Sequence, residues 1–190
     1  MIGVYARYRG HEKARAQLVE RSAEALASLP GVGAVVVSGL DELTTSVEEP
    51  EDALNLIMAL LSDGQWAIGV GVAAGTDDAA EEAAHRAAER AAGSRAGQVR
   101  AQVVETSPST AAPDLSAVFA LLAHVLHKRT LEGREATSLV RRGLTQSDAA
   151  AELGISKQAM SQRLQAAGWP AERAGWQLAL NLLTRAAQPE

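Results

Sequence analysis

The sequence has no cysteine, which removes disulfides, thiolate nucleophiles and thiolate metal ligands together. Aromatic residues make up only 3% of its 190 residues, so any core must be built mainly from Ala, Leu and Val. No stretch approaches the roughly 20 consecutive apolar residues that a membrane-spanning helix needs. The opening segment MIGVYARYRGHEKARAQ places an apolar run before mixed charge, the reverse of a secretory signal. The expected location is therefore the cytoplasm, in association with the nucleoid. A Gly-rich phosphate loop and a Gly-x-Ser-x-Gly elbow are both missing.

What is present is an ordinary folding composition, 47% apolar and 22% charged. The net charge of −5 is unevenly spread. Residues 1–127 carry nine Lys and Arg against seventeen Asp and Glu, a net of −8, whereas residues 128–170 carry seven against four, a net of +3. An acidic body with a basic segment suits a module that meets a polyanion.

The first hundred residues alternate strands and helices. Strands are expected at Ile2–Tyr8, Val32–Ser38, Leu43–Val47 and Trp66–Val72, with helices at Glu12–Leu29 and Pro50–Asp63. That order is β-α-β-β-α-β, the ferredoxin-like split unit, a sheet with two helices on one face. The Ala-rich stretch 76–97 reads as an exposed or lightly packed helix, and Val99–Glu105 as an edge strand. The fold class is thus α+β. A ferredoxin-like domain covers residues 1–105 and serves dimerisation, ligand binding or partner binding. A linker follows over 106–113 (TSPSTAAP), then an all-helical domain over 114–190.

The functional signal lies in LTQSDAAAELGISKQAMSQRLQAAGW, a helix-turn-helix over residues 144–168 with no β-wing after it. Thr145 suits an N-cap with Asp148 three residues on, Ala149 and Ala150 allow close helix crossing, and Gly154 permits a left-handed turn. Ile155 fills the gap between the helices, Ser156 caps the second, and Met160 and Leu164 form its buried side. The opposite face carries Lys157, Gln158, Ser161, Gln162 and Gln165, whose donors and acceptors match base edges in the major groove. Arg141, Arg142, Thr145, Gln146, Ser156 and Arg163 are candidate phosphate contacts. Double-stranded DNA is therefore the expected partner.

A last amphipathic helix over 170–187 aligns Trp176, Leu180 and Leu183. That line either packs on the helix-turn-helix or forms the seam of a homodimer reading an inverted repeat. On the preceding helix, over 114–132, His124 and His127 could share a face, but two ligands without a carboxylate do not make a metal site. No cofactor, metal or catalytic residue is expected.

The segment resembles the helix-turn-helix of sigma-factor region four and of many response regulators, through its Leu-Thr-Gln start and Gly-Ile-Ser turn. The layout also resembles the SatD-like proteins of actinobacteria, which pair an N-terminal α/β domain with a helix-turn-helix of the type GISKQAMSQRL, here residues 154–164. That resemblance is specific in the C-terminal third and architectural before it. It implies a DNA-binding transcriptional regulator and an N-terminal Gly-Asp-Glu hairpin similar to that of nucleotide cyclases. The corresponding stretch here is SGLDEL, residues 38–43. A two-metal phosphoryl-transfer site needs several carboxylates around ions about 4 Å apart. Its partner carboxylate belongs on the first strand, and residues 2–10 contain none.

Three functions remain open at this point. The chain is a dimeric regulator whose N-terminal domain dimerises, senses a small effector or meets a partner protein. It is a DNA-bound adaptor that recruits a partner through an acidic surface. Or it is a degenerate nucleotide-cyclase-like domain carrying a DNA module.

Overall fold

A computed structural model describes residues 1–104 and 110–188. It is an α+β protein with a five-stranded mixed sheet. The strands are β1 (Ile2–Tyr8), β2 (Val36–Ser38), β3 (Glu42–Val47), β4 (Trp66–Ala73) and β5 (Val99–Val104). Eight helices are described: α1 (Arg15–Ala27), α2 (Pro50–Asp63), α3 (Asp78–Ala91), α4 (Ala111–His127), α5 (Leu131–Arg141), α6 (Gln146–Glu152), α7 (Lys157–Ala166) and α8 (Trp169–Ala187). None of the described helices is long and apolar enough to cross a membrane.

The sheet order is β2-β3-β1-β4-β5. Antiparallel pairing joins β1 to β3 and to β4, whereas β5 runs parallel to β4 after the α3 crossover. The period of two divides the central strands between two layers. Ile2, Val4, Ala6 and Tyr8 of β1, with Trp66, Ile68, Val70 and Val72 of β4, face a large apolar core. That core includes Leu26 of α1 and Leu54, Ile57 and Leu61 of α2. Strand β2 is shorter than its apolar run suggests, because only Val36–Ser38 pairs with β3, while the Ala34 carbonyl accepts from the Thr45 hydroxyl at 3.0 Å.

The other face carries Gly3, Gly69 and Gly71, and α3 lies directly on them. A Cβ at Gly71 would overlap the carbonyl oxygen of Ala84, one at Gly69 would overlap that of Ala88, and one at Gly3 would stand 2.7 Å from the Ala84 carbonyl. Ala80, Ala84, Ala87 and Ala88 are buried in turn. The Ala-rich helix is therefore closely packed, contrary to the expectation of an exposed or lightly packed one. Its alanines reflect the absence of room for anything larger between helix and strand backbone. The charged positions that suggested exposure, Glu81, Glu82, Arg86, Glu89 and Arg90, form its outer side.

Two further departures concern the C-terminal helices. Ala111–Pro113, expected in the linker, form the first turn of α4, and 105–109 lie outside the described residues. Leu115, Val118, Phe119, Leu122 and Leu126 of α4 join the same core as the sheet, as do Ala179 and Leu183 of α8. The 114–132 helix ends at His127, and a separate α5 begins where Thr130 accepts from the Gly133 amide at 3.2 Å.

The Asp41-Glu42 hairpin turns its acids inward to arginines. Glu42 pairs with Arg7, Asp41 lies 3.7 Å from Arg15, and Arg7 donates to the Tyr5 hydroxyl at 2.6 Å. Burial, reinforced by the hydrogen bond to Glu42, pushes the Tyr5 phenol from 10 up to about 12. A phenol raised in the folded state contributes stability that is complete below pH 10 and lost as pH rises toward 12. In Tyr8→Phe, an ultraviolet-monitored titration should therefore show the remaining phenol ionising near pH 12, with stability falling over the same window.

The contact between α3 and the sheet gives a second expectation. Gly71→Ala should cost about 1–3 kcal/mol or more in denaturant unfolding, since backbone on both sides must move apart. Gly33→Ala, where an added Cβ meets nothing within 4 Å, should change stability by less than about 0.5 kcal/mol.

Candidate nucleic-acid interface

Helices α5, α6 and α7 enclose a small core of their own, made by Ala136, Leu139, Ala149, Ala150, Met160 and Leu164. Leu144, Leu153, Ile155 and Trp169 close it at the edges. Each helix ends in the same way. Gly143, Gly154 and Gly168 follow α5, α6 and α7 with φ of 92°, 63° and 67°. After α6, the Gly154 amide donates to the Ala151 carbonyl at 3.1 Å and the Ile155 amide to the Ala150 carbonyl at 3.0 Å. That double bond pattern satisfies two terminal carbonyls and drives Ile155 back onto the core. Gly143 and Leu144 repeat it on Val140 and Leu139.

The starts of α6 and α7 are equally defined. Thr145 accepts from the Asp148 amide at 3.2 Å and donates to the Asp148 carboxylate at 2.6 Å. Ser156 accepts from the Ala159 amide at 3.1 Å. Thr145 and Ser156 thus cap helices, and their side-chain oxygens are already engaged.

With Met160 and Leu164 turned inward, α7 exposes Lys157, Gln158, Ser161, Gln162 and Gln165 together. Among the described residues, none of these five side chains has a hydrogen-bond or ion-pair partner. The face is therefore a row of free donors and acceptors on a helix fixed from behind.

The candidate phosphate contacts divide. Arg142 and Gln146 are exposed, and Arg163 is half-buried. Arg163 lies near Glu132, whose carboxyl is held below the usual range by its own backbone amide and the Thr130 hydroxyl, with Arg163 adding to the effect. Arg141 is committed elsewhere: it donates to Glu172 at 2.5 Å and stacks 5.9 Å over the Trp169 ring. Trp176 and Leu180 are half-buried against the main core and Leu183 is fully buried within it. That line of α8 therefore packs inside the chain, on the main core, and α8 as a whole lies chiefly against α4 and α2.

Sequence reasoning missed the group that ties these helices together. Arg129, between α4 and α5, and Glu172, on α8, form an ion pair with side chains 3% and 4% exposed. Arg129 also donates to the Ala167 carbonyl at 2.8 Å and to the Thr137 hydroxyl at 3.4 Å. One guanidinium thereby caps the end of α7, holds α5 and meets α8. Glu172 uses its second oxygen on Arg141. No local signal marked it, since its partner lies 43 residues away.

Elsewhere, Ser46 lies 2.5 Å from Nε2 of His85, and Glu81 approaches that same nitrogen at 3.8 Å. An acid on the far nitrogen would orient a general base, and this placement does not provide one. His127 lies against Gly64 and Gly97. Among the described residues, no group of three or more metal-ligating side chains occurs.

The Arg129–Glu172 pair sets the expected cost of disrupting this unit. Glu172→Ala leaves a buried arginine without its anion and should destabilise by about 3–5 kcal/mol in urea. Arg142→Ala, fully at the surface, should stay within about 0.5 kcal/mol.

Compared with known protein families, with curated proteins and with solved structures, the chain matches none.

Proposed function

We propose that the chain is a sequence-specific double-stranded DNA-binding transcriptional regulator that reads an inverted repeat as a homodimer, with α6 and α7 as its helix-turn-helix. The observation that carries this reading is the face of α7. Five polar side chains with no partner among the described residues project from a helix whose opposite side is locked by Met160 and Leu164. Base recognition needs donors and acceptors held at set positions, which this face supplies.

In this reading Lys157, Gln158, Ser161, Gln162 and Gln165 contact bases, and Arg142, Gln146 and Arg163 contact phosphates. Arg141 pairs with Glu172 and keeps only its exposed side for an anion. The N-terminal part is read as a ferredoxin-like unit in the order β4-β1-β3-β2, extended by β5. The likeness to SatD-like regulators belongs to the same proposal. Leu183 is buried within the chain, so of the line proposed for a dimer seam only the half-buried Trp176 and Leu180 keep surface for a second copy. The acidic first 127 residues favour a second reading, an adaptor that recruits a basic partner while bound to DNA.

Selection from randomised duplexes at a fixed salt near ~0.15 M tests the proposal, because phosphate contacts alone give salt-sensitive binding without sequence preference. An inverted repeat should be enriched, and Gln158→Ala with Gln162→Ala should abolish the enrichment, each glutamine contributing about 1–3 kcal/mol of discrimination. Arg142→Ala should weaken all sequences alike and lower the salt slope by about one. Binding without enrichment contradicts sequence reading and favours the adaptor.

A further inference from the structure

A groove of about 1190 Å³ runs between α2 on one side and α5 and α8 on the other. That is somewhat above the roughly 300–1,000 Å³ of sites for small organic ligands, so such a ligand would fill only part of it. Its apolar lining comes from Leu29, Met58, Val140 and Leu144 and from two of the three tryptophans, Trp169 and Trp176. Both indoles are half-buried, so each keeps part of its surface open. Asn55, Gln146 and Gln177 add amides at the border.

The charge of the lining is one-sided. Glu172 is the single carboxylate among the lining residues, and both of its oxygens are already taken, one by Arg129 and one by Arg141. Arg141 and Arg173 also line the groove. Two lining arginines therefore stand against one lining acid that is already paired, which leaves the groove with an excess of positive charge. Arg173 is exposed and, among the described residues, has no ion-pair partner.

We propose that this groove binds a small aromatic carboxylate, with its ring against Trp169 and Trp176 and its carboxylate on Arg173 and the exposed side of Arg141. Flat indole surface and aliphatic neighbours favour a planar apolar body. Guanidinium groups favour a carboxylate over other polar ends because the two can pair in a bidentate way. The positive lining disfavours a cationic ligand, and a neutral one gains nothing from Arg173. The site stands whether or not α7 reads DNA, since it uses none of the residues of that face.

The test is a tryptophan-fluorescence titration of the full chain without DNA, using 2-naphthoate as the probe and 2-naphthalenemethanol as its neutral counterpart. Trp66 is buried in the main core, so quenching reports on the two groove indoles. Naphthoate should quench saturably with a Kd below ~0.1 mM. The neutral counterpart should bind at least about tenfold more weakly, and Arg173→Gln should cost naphthoate about tenfold, the loss expected for one charge-assisted hydrogen bond. Ala59→Phe, at an exposed position on the α2 wall, should remove binding while circular dichroism stays unchanged. Absence of saturable quenching, equal affinity for the neutral probe, or intact binding in Ala59→Phe would each overturn the proposal. So would a dimer in sedimentation that dissociates in Ala59→Phe without any naphthoate binding, which would make a second copy the occupant.

Discussion

The C-terminal half of this protein is organised around a buried arginine. Arg129 spends its side chain on the carbonyl end of α7, a hydroxyl on α5 and a carboxylate on α8. Taking a guanidinium and a carboxylate out of water is expensive, and such a pair is often no more stabilising than an apolar cluster of equal volume. Its contribution lies in geometry. Apolar side chains permit neighbouring packings of similar energy, whereas a planar fork accepts few arrangements. The charge cluster defines how α7 stands relative to α8, and α8 is embedded in the core of the sheet. The polar face of α7 inherits its position from that chain of contacts.

A second device recurs at a different scale: the absence of a side chain. On the sheet, Gly3, Gly69 and Gly71 let α3 approach until backbone meets backbone. At the helix ends, Gly143, Gly154 and Gly168 adopt the left-handed conformation that reverses the chain in one residue. With few aromatics available, close approach takes the place of bulk. The main core still holds its large residues, Trp66 and Phe119 among them, but on the opposite face of the sheet from α3.

What was legible from sequence was whatever is written locally. Strands β1 and β4 stand out by alternation and β-branched content, and β1 ends where expected. The caps Thr145 and Ser156, the turn at Gly154 and the inward pair Met160 and Leu164 all act within four residues of where they sit, so short-range rules find them. Three things were not legible because their partners are distant. An Ala-rich helix looks the same whether it faces water or glycines on strands. The apolar line of α8 announces burial but not against what, and α8 packs into the main core chiefly against α4 and α2. Arg129 and Glu172 are 43 residues apart, and neither differs in sequence from a surface charge.

The claim that the Arg129 cluster positions the α5–α7 unit on the rest of the fold can be measured by hydrogen exchange, resolved by element, in the wild-type chain and in Arg129→Ala. Amides of α5, α6 and α7 should lose protection together in the variant, while β1, β4 and α2 keep theirs. Unchanged protection in α7 would contradict the account. Equal loss throughout the sheet would also contradict it, because the cluster would then support the whole fold rather than the placement of one unit.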